Sequence, residues 1–197
     1  MLIVKILYTG GLSFDKLKSS SLLTEKDRAL ADGFLQPKDK IARLSSAYLK
    51  RKYVGDWEVS DFGKPISKTC FFNISHCDGL TAIVIADNDV GIDVEKVRPI
   101  NDELKHYVCA ENELEAAETD IGFFTVWTNK ESLSKAEGSG LTRFPNTIPA
   151  LPLSGKREFN GEIYFSRSMI VGDNVLSVTR RGGKDFGLKI EEEIFTE

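Results

Sequence analysis

Cysteine is scarce in this 197-residue chain, and the three present, Cys70, Cys77 and Cys109, follow no regular spacing. That excludes a disulfide framework or a zinc ribbon and fits a reducing cytoplasm, where buried thiols act as small hydrophobes. Cys77 directly follows His76, but adjacent strand residues point to opposite faces, so the pair does not converge by local geometry. No apolar run reaches the length of a membrane span. The stretch Met1 to Tyr8 is apolar but too short for a signal-peptide core, lacks a small-residue cleavage site behind it, and reads as an opening strand. Positive charge is not in excess: 26 Lys and Arg against 30 Asp and Glu leave a net −4. That balance argues against nonspecific nucleic-acid binding. No repeat or low-complexity segment is visible.

What is present divides into alternating groups of helices and strands. Thr24 is a natural N-cap, so Thr24 to Leu35 predicts a short helix. Pro37 suits a first helical position, and Ile41, Leu44, Tyr48 and Leu49 follow at helical spacing up to Gly55. On the same helix Lys40, Arg43, Ala47 and Lys50 form a second, basic stripe; Lys38 to Lys52 has only Asp39 opposing its charge. Such a stripe is ordinarily a solvated face. Strands are expected at Trp57 to Val59, Phe71 to Ser75, Leu80 to Ala86 and Val90 to Val97, with Asp87-Asn88-Asp89 as a tight hairpin connection between the last two. Beyond Pro99 the pattern predicts helices over Ala110 to Glu118 and Phe123 to Glu137, the second closed by Gly138. Pro145, Pro149 and Pro152 mark a loop. Glu158 to Phe165 and Val175 to Thr179 predict further strands, and the acidic tail from Ile190 is expected to fray. The fold class is α+β with antiparallel sheet.

Two segments carry chemistry. In Val90-Gly91-Ile92-Asp93-Val94-Glu95 the strand period puts Asp93 and Glu95 on one face, ~7 Å apart at the backbone, with three aliphatics on the other. Paired carboxylates at that distance can converge on a hard cation, and Gly91 leaves the same face open. In Trp127-Thr128-Asn129-Lys130-Glu131-Ser132-Leu133-Ser134-Lys135, the residues Trp127, Glu131 and Lys135 form one helical row, Phe124 lying on its apolar side. A carboxylate rising from aromatics is partly desolvated, and Lys135 one turn on is expected to keep it charged. Each segment alone also fits an ordinary amphipathic element. Together Asp93, Glu95, Glu131 and Lys135 suit a magnesium site handling a phosphate anhydride. Ser75 and His76, ending Phe72-Asn73-Ile74-Ser75-His76, can donate to phosphate oxygens. Phe62-Gly63-Lys64-Pro65 is a turn with a lysine.

These four segments, in this order, resemble the 4'-phosphopantetheinyl transferase superfamily, in its surfactin-synthetase-activating type; Gly138-Ser139-Gly140-Leu141 adds to the likeness. The resemblance implies two similar α+β halves, 1–89 and 90–197, with the active site in the cleft between them. It implies transfer of 4'-phosphopantetheine from coenzyme A to a serine of an acyl or peptidyl carrier protein by a cytoplasmic monomer. By the same resemblance Asp93, Glu95 and Glu131 hold magnesium, Glu131 is also the base, and Lys135 assists the departing 3',5'-ADP. Lys64, Pro65, Ser75 and His76 contact coenzyme A, and Arg43 its 3'-phosphate; Lys40, Lys26 and Arg28 are further basic candidates. A non-catalytic coenzyme A or carrier-binding module is the alternative, and a magnesium phosphohydrolase using water a third.

Overall fold

The first strand, β1 (Leu2–Tyr8), sends Leu2, Val4 and Ile6 to one face and Leu7 to the other, and all four are buried. A strand covered on both sides needs a layer on each, and the rest of the chain supplies them. The computed structural model describes residues 1–60, 63–138, 144–182 and 184–196. Helices α1 (Phe14–Lys18), α2 (Glu25–Asp32) and α3 (Pro37–Tyr53) follow, α2 opened by a reciprocal Thr24–Asp27 capping box and α3 by Pro37. A two-stranded ribbon, β2 (Glu58–Val59) with β3 (Pro65–Ile66), leads to β4 (Phe71–Cys77) and β5 (Leu80–Ala86). Then come β6 (Val90–Lys96), α4 (Asp102–Val108), α5 (Asp120–Glu137), β7 (Gly155–Phe159), β8 (Glu162–Val171), β9 (Asn174–Arg181) and β10 (Leu188–Glu192).

Among the described residues the strands form two four-stranded sheets, ordered β10-β1-β5-β4 and β6-β9-β8-β7, besides the ribbon. Pairing is antiparallel except for β1 with β10. The sheets share one apolar layer: Leu2, Val4, Ile6, Ala82 and Val84 from the first meet Val90, Ile92, Val94, Leu176 and Val178 from the second. The helices α1 to α3 cover the outer face of the first sheet through Leu17, Leu44, Tyr48 and Leu49. The outer face of the second sheet is covered by α5. No helix among the described residues is long and apolar enough to cross a membrane.

The α+β class with antiparallel sheet holds, but four local expectations are corrected. The turn Asp87-Asn88-Asp89 is no hairpin: β5 and β6 lie in different sheets, and β6 pairs with β9. The true hairpin joins β4 to β5 through Asp78 and Gly79. The segment 110–118 forms one 3₁₀ turn at Glu111–Glu113 because Glu113 turns inward to accept from Ala110 N and Ala150 N; the helix lies earlier, at α4, capped by Asn101. The strand expected over Glu158 to Phe165 is broken by Asn160-Gly161, both at positive φ (51° and 76°), as a two-residue hairpin with strand-matching twist requires. The acidic tail does not fray into solvent either. Leu188 and Ile190 pack on the shared core, Phe195 stacks at 4.9 Å from Tyr48, and the Glu193 carboxylate accepts from Lys52 and Tyr53. The last strand therefore returns to the sheet begun by the first, across the expected 89/90 boundary.

Candidate active site

The row Gly91, Asp93, Glu95 faces α5, and Gly91 explains how closely. A Cβ at this position would lie 2.0 Å from the Ser132 carbonyl oxygen and 2.5 Å from Ala136 N, so strand and helix touch backbone to backbone. That contact brings the α5 row Trp127, Glu131, Lys135 over the strand's carboxylates. Trp127 Nε1 donates to Glu95 Oε1 at 3.4 Å, and Lys135 Nζ donates to Asp93 Oδ1 at 2.7 Å, to Ser75 Oγ at 3.2 Å and to the Ile92 carbonyl at 3.1 Å. Ser75 Oγ in turn donates to Asp93 Oδ1 at 2.9 Å, tying β4 of the first sheet to β6 of the second.

Lys135 was expected to hold Glu131 charged; instead its ammonium is committed to Asp93. Burial first, then repulsion from Asp93, pushes the Glu131 carboxyl up to about 7, with Lys135 only partly offsetting them. Burial and Asp93 likewise raise Glu95, against the relief of Arg98 at 3.3 Å. His76 keeps contact with solvent, yet burial of its ring and then Lys135 hold its imidazole below the usual range.

These residues line a cleft of about 680 Å³ together with residues of α3 and the ribbon. Arg43, Ser46 and Lys50 join it from one helical stripe, and Trp57, Val59, Gly63 and Pro65 from the segment that follows. The lining therefore combines carboxylates with the cations Arg43, Lys50 and Lys135. Three of its buried polar atoms have no hydrogen-bond partner: Asp93 Oδ2, Arg43 Nε and Ser46 Oγ. Buried polar groups are rarely left so, and an unsatisfied carboxylate oxygen beside an unsatisfied guanidinium and hydroxyl suits a ligand that brings both a cation and an anion.

The carboxylate set fits a hard divalent ion: oxygen ligands only, one with an unsatisfied atom, and two carboxyls raised first by burial and then by repulsion from Asp93. Among the described residues no three such side chains are already closed around an ion position. Magnesium ordinarily completes its shell from substrate phosphates and water.

Of the residues expected at the site, Arg43, Pro65, Ser75, His76, Asp93, Glu95, Glu131 and Lys135 all line this cleft. Lys64 and Lys40 do not: the Lys64 ammonium turns to Asp89 at 3.7 Å, and Lys40 lies 5.4 Å from the Phe14 ring. Arg28 is used on the Lys18 and Ser20 carbonyls. Residues 139–141 of the Gly138-Ser139-Gly140-Leu141 stretch lie outside the described residues; Gly138 itself ends α5 at a left-handed φ of 97°.

Lys50 is the residue that sequence reading placed on the basic stripe but not in the site. It is 5% exposed, its ammonium lies 4.3 Å from the centre of the Trp57 ring, and burial followed by repulsion from Arg43 pushes it down to about 8. Its spacing of seven from Arg43 was the available signal. Cys77, by contrast, is an inert thiol, pushed up to about 12 by burial and the nearby carboxylates.

Residues 89–167 match the family model of the 4'-phosphopantetheinyl transferase superfamily. The chain is 31% identical over 140 residues to the 4'-phosphopantetheinyl transferase gsp of Aneurinibacillus migulanus, covering 62% of this chain and 59% of that one. It is 30% identical over 114 residues to the 4'-phosphopantetheinyl transferase Sfp of Bacillus subtilis (strain 168), half of each chain. The chain therefore spans less than two thirds of the length of these relatives.

Proposed function

We propose that this chain is a member of the 4'-phosphopantetheinyl transferase superfamily, which its matches support, and that it transfers 4'-phosphopantetheine from coenzyme A to a serine of an apo carrier protein and releases 3',5'-ADP. One observation carries the reading: a single cleft holds Asp93, Glu95 and Glu131, one with an unsatisfied buried oxygen, together with Arg43 and Ser46, whose buried Nε and Oγ also lack partners. A cation-bound diphosphate that also bears an anionic nucleotide end answers both. The likeness of element order in the sheets, β1-α3-β4-β5 against β6-α5-β8-β9, supports reading the chain as two similar halves that meet at this cleft.

In this reaction the serine oxygen forms a bond to the phosphorus bearing pantetheine, and the anhydride bond to 3',5'-ADP breaks. Asp93, Glu95 and Glu131 would hold magnesium, which supplies charge neutralisation of the diphosphate when bound. Glu131 takes the serine proton directly or through water. Lys135 shares its protons among Asp93, Ser75 and Ile92, and an arriving phosphate competes for them as negative charge develops on the leaving group. Ser75 and His76 contact phosphate oxygens, and Arg43, Ser46 and Lys50 receive the nucleotide's remaining phosphate.

The test is intact-mass measurement of an apo carrier protein incubated with the enzyme, coenzyme A and magnesium. A gain of about 340 Da, lost on chelation, supports the reading. No gain on several carrier types with coenzyme A still bound would leave a non-catalytic module instead, and release of 3',5'-ADP without a carrier a hydrolase.

Two further outcomes follow. Lys135→Ala should lower kcat by ~100-fold while KM for coenzyme A moves less than about threefold; a change in KM alone would remove Lys135 from the leaving-group role. Coenzyme A affinity should weaken as pH rises through about 8, where Lys50 loses its proton in the free protein. The sign follows from the anion, which favours the charged amine, so binding takes up a proton above that pH. Calorimetry across pH 7 to 9 should show this slope in the wild type and a clearly shallower one near pH 8 in Lys50→Met.

A further inference from the structure

Beneath α5, on the side away from the cleft, lies a second set of charges that the mechanism does not use. Lys130 is fully buried, Glu113 is 2% exposed and Arg157 5%. Lys130 Nζ meets Glu113 Oε2 at 2.5 Å and the Ile148 carbonyl at 2.6 Å. The Glu113 carboxylate also accepts from Ala110 N at 2.9 Å and Ala150 N at 2.7 Å. Arg157 donates to Asn129 Oδ1 at 2.7 Å and to the carbonyls of Pro149 and Pro152 at 2.9 and 2.6 Å. Asn129 closes the set on Ser168 at 2.7 Å.

Cohesion alone does not call for this. Apolar residues of similar volume stabilise a core as well as a buried ion pair or better, and α5 is already anchored that way through Phe123, Val126, Leu133 and Ala136. Charges add direction. Apolar contact leaves a helix free to roll slightly, whereas hydrogen-bonded ions fix it at one angle. The two α5 residues so held, Asn129 and Lys130, immediately precede Glu131. A roll of about 20° would carry a side-chain tip, ~5–6 Å from the helix axis, by about 2 Å. A misplacement of ~1 Å at a reacting group can cost about 100-fold in rate.

We propose that Lys130, Glu113 and Arg157 are positioning residues that set the rotation of α5 and so aim Glu131 at its cation and proton. This rests on the role given to Glu131 above.

The decisive variant is the neutralised pair Lys130→Met with Glu113→Gln, compared with wild type in three measurements. Its melting temperature should stay within about 5 °C. Its kcat should fall about 100-fold with KM for coenzyme A within about threefold. Its affinity for Mn²⁺, titrated calorimetrically in the presence of coenzyme A, should weaken about tenfold. A folded pair with wild-type kcat and wild-type Mn²⁺ affinity overturns the proposal. If the pair does not fold, Lys130→Arg and Arg157→Lys keep the charges and break the geometry. They should then show the same selective loss, and wild-type values in both overturn the proposal equally. A wild type that binds Mn²⁺ and coenzyme A yet modifies no carrier would sink the transferase reading, while the Mn²⁺ comparison would still decide this one.

Discussion

Replacing Glu131 by Gln should abolish transfer, by more than ~1,000-fold, and at the same time make the metal-free protein more stable at pH 8. The carboxyl is raised from 4.5 to about 7 in the fold, mainly by burial and then by Asp93. Between those two values the folded chain holds a proton that the unfolded chain has released. The contribution of Glu131 to stability is therefore fully present below about 4.5, is lost as pH rises through about 7, and stays lost above it. Glutamine does not titrate and escapes the loss. Discounted for the side chain's partial exposure, the gain at pH 8 is about 1–2 kcal/mol, or ~3–6 °C in melting temperature for a chain of this size. Scanning calorimetry with chelator at pH 8 and pH 4.5 should show the variant ahead at the first and the two converging at the second. A variant that is less stable at pH 8, or that still turns over, would remove Glu131 from both roles.

Gly91→Ala should damage both stability and turnover severely. Its φ is ordinary for any residue; space is the obstacle, since the new methyl would meet Ser132 O at 2.0 Å, Ala136 N at 2.5 Å and Lys135 Cβ at 2.9 Å. Backbone atoms cannot rotate aside, so α5 must lift from β6, at a cost of about 3 kcal/mol or more. The same displacement separates Glu131 and Lys135 from Asp93 and Glu95. Gly122→Ala is the control: its methyl would meet the Ala116 carbonyl at 2.2 Å, at the far end of the same helix. Both variants should lose stability in denaturant titrations, but at equal folded fraction Gly91→Ala alone should lose kcat by about 100-fold. Equal kcat in the two would show that the close approach matters for cohesion only.

The chemistry was legible because it is local. A period of two places Asp93 beside Glu95, a period of nearly four places Trp127, Glu131 and Lys135 in line, and both rows meet in the cleft. What escaped depends on distant partners. Leu188 and Ile190 alternate as a strand should, but their partner β1 lies at the other end of the chain, and the acidic neighbours disguised the pattern. The Asp87-Asn88-Asp89 turn carries hairpin residues, yet β6 leaves for another sheet because Ile92 and Val94 are needed in the shared core while Gly91 meets α5. Helix α4 exposes Leu104 and Tyr107, so no apolar face announced it. Lys50 looked like a solvated surface lysine, and only the placement of Trp57 over it shows otherwise.

The parallel seat of β10 beside β1 has a consequence for biosynthesis. Strand β1 acquires its outer neighbour only after the residues of the second sheet have been synthesised. Until then the ribosome holds a nascent chain with an apolar strand open along one edge, the kind of template that recruits other chains. Synthesis that stalls after Arg181 should therefore yield aggregates rather than a soluble first sheet, and that edge is protected only once β10 closes it.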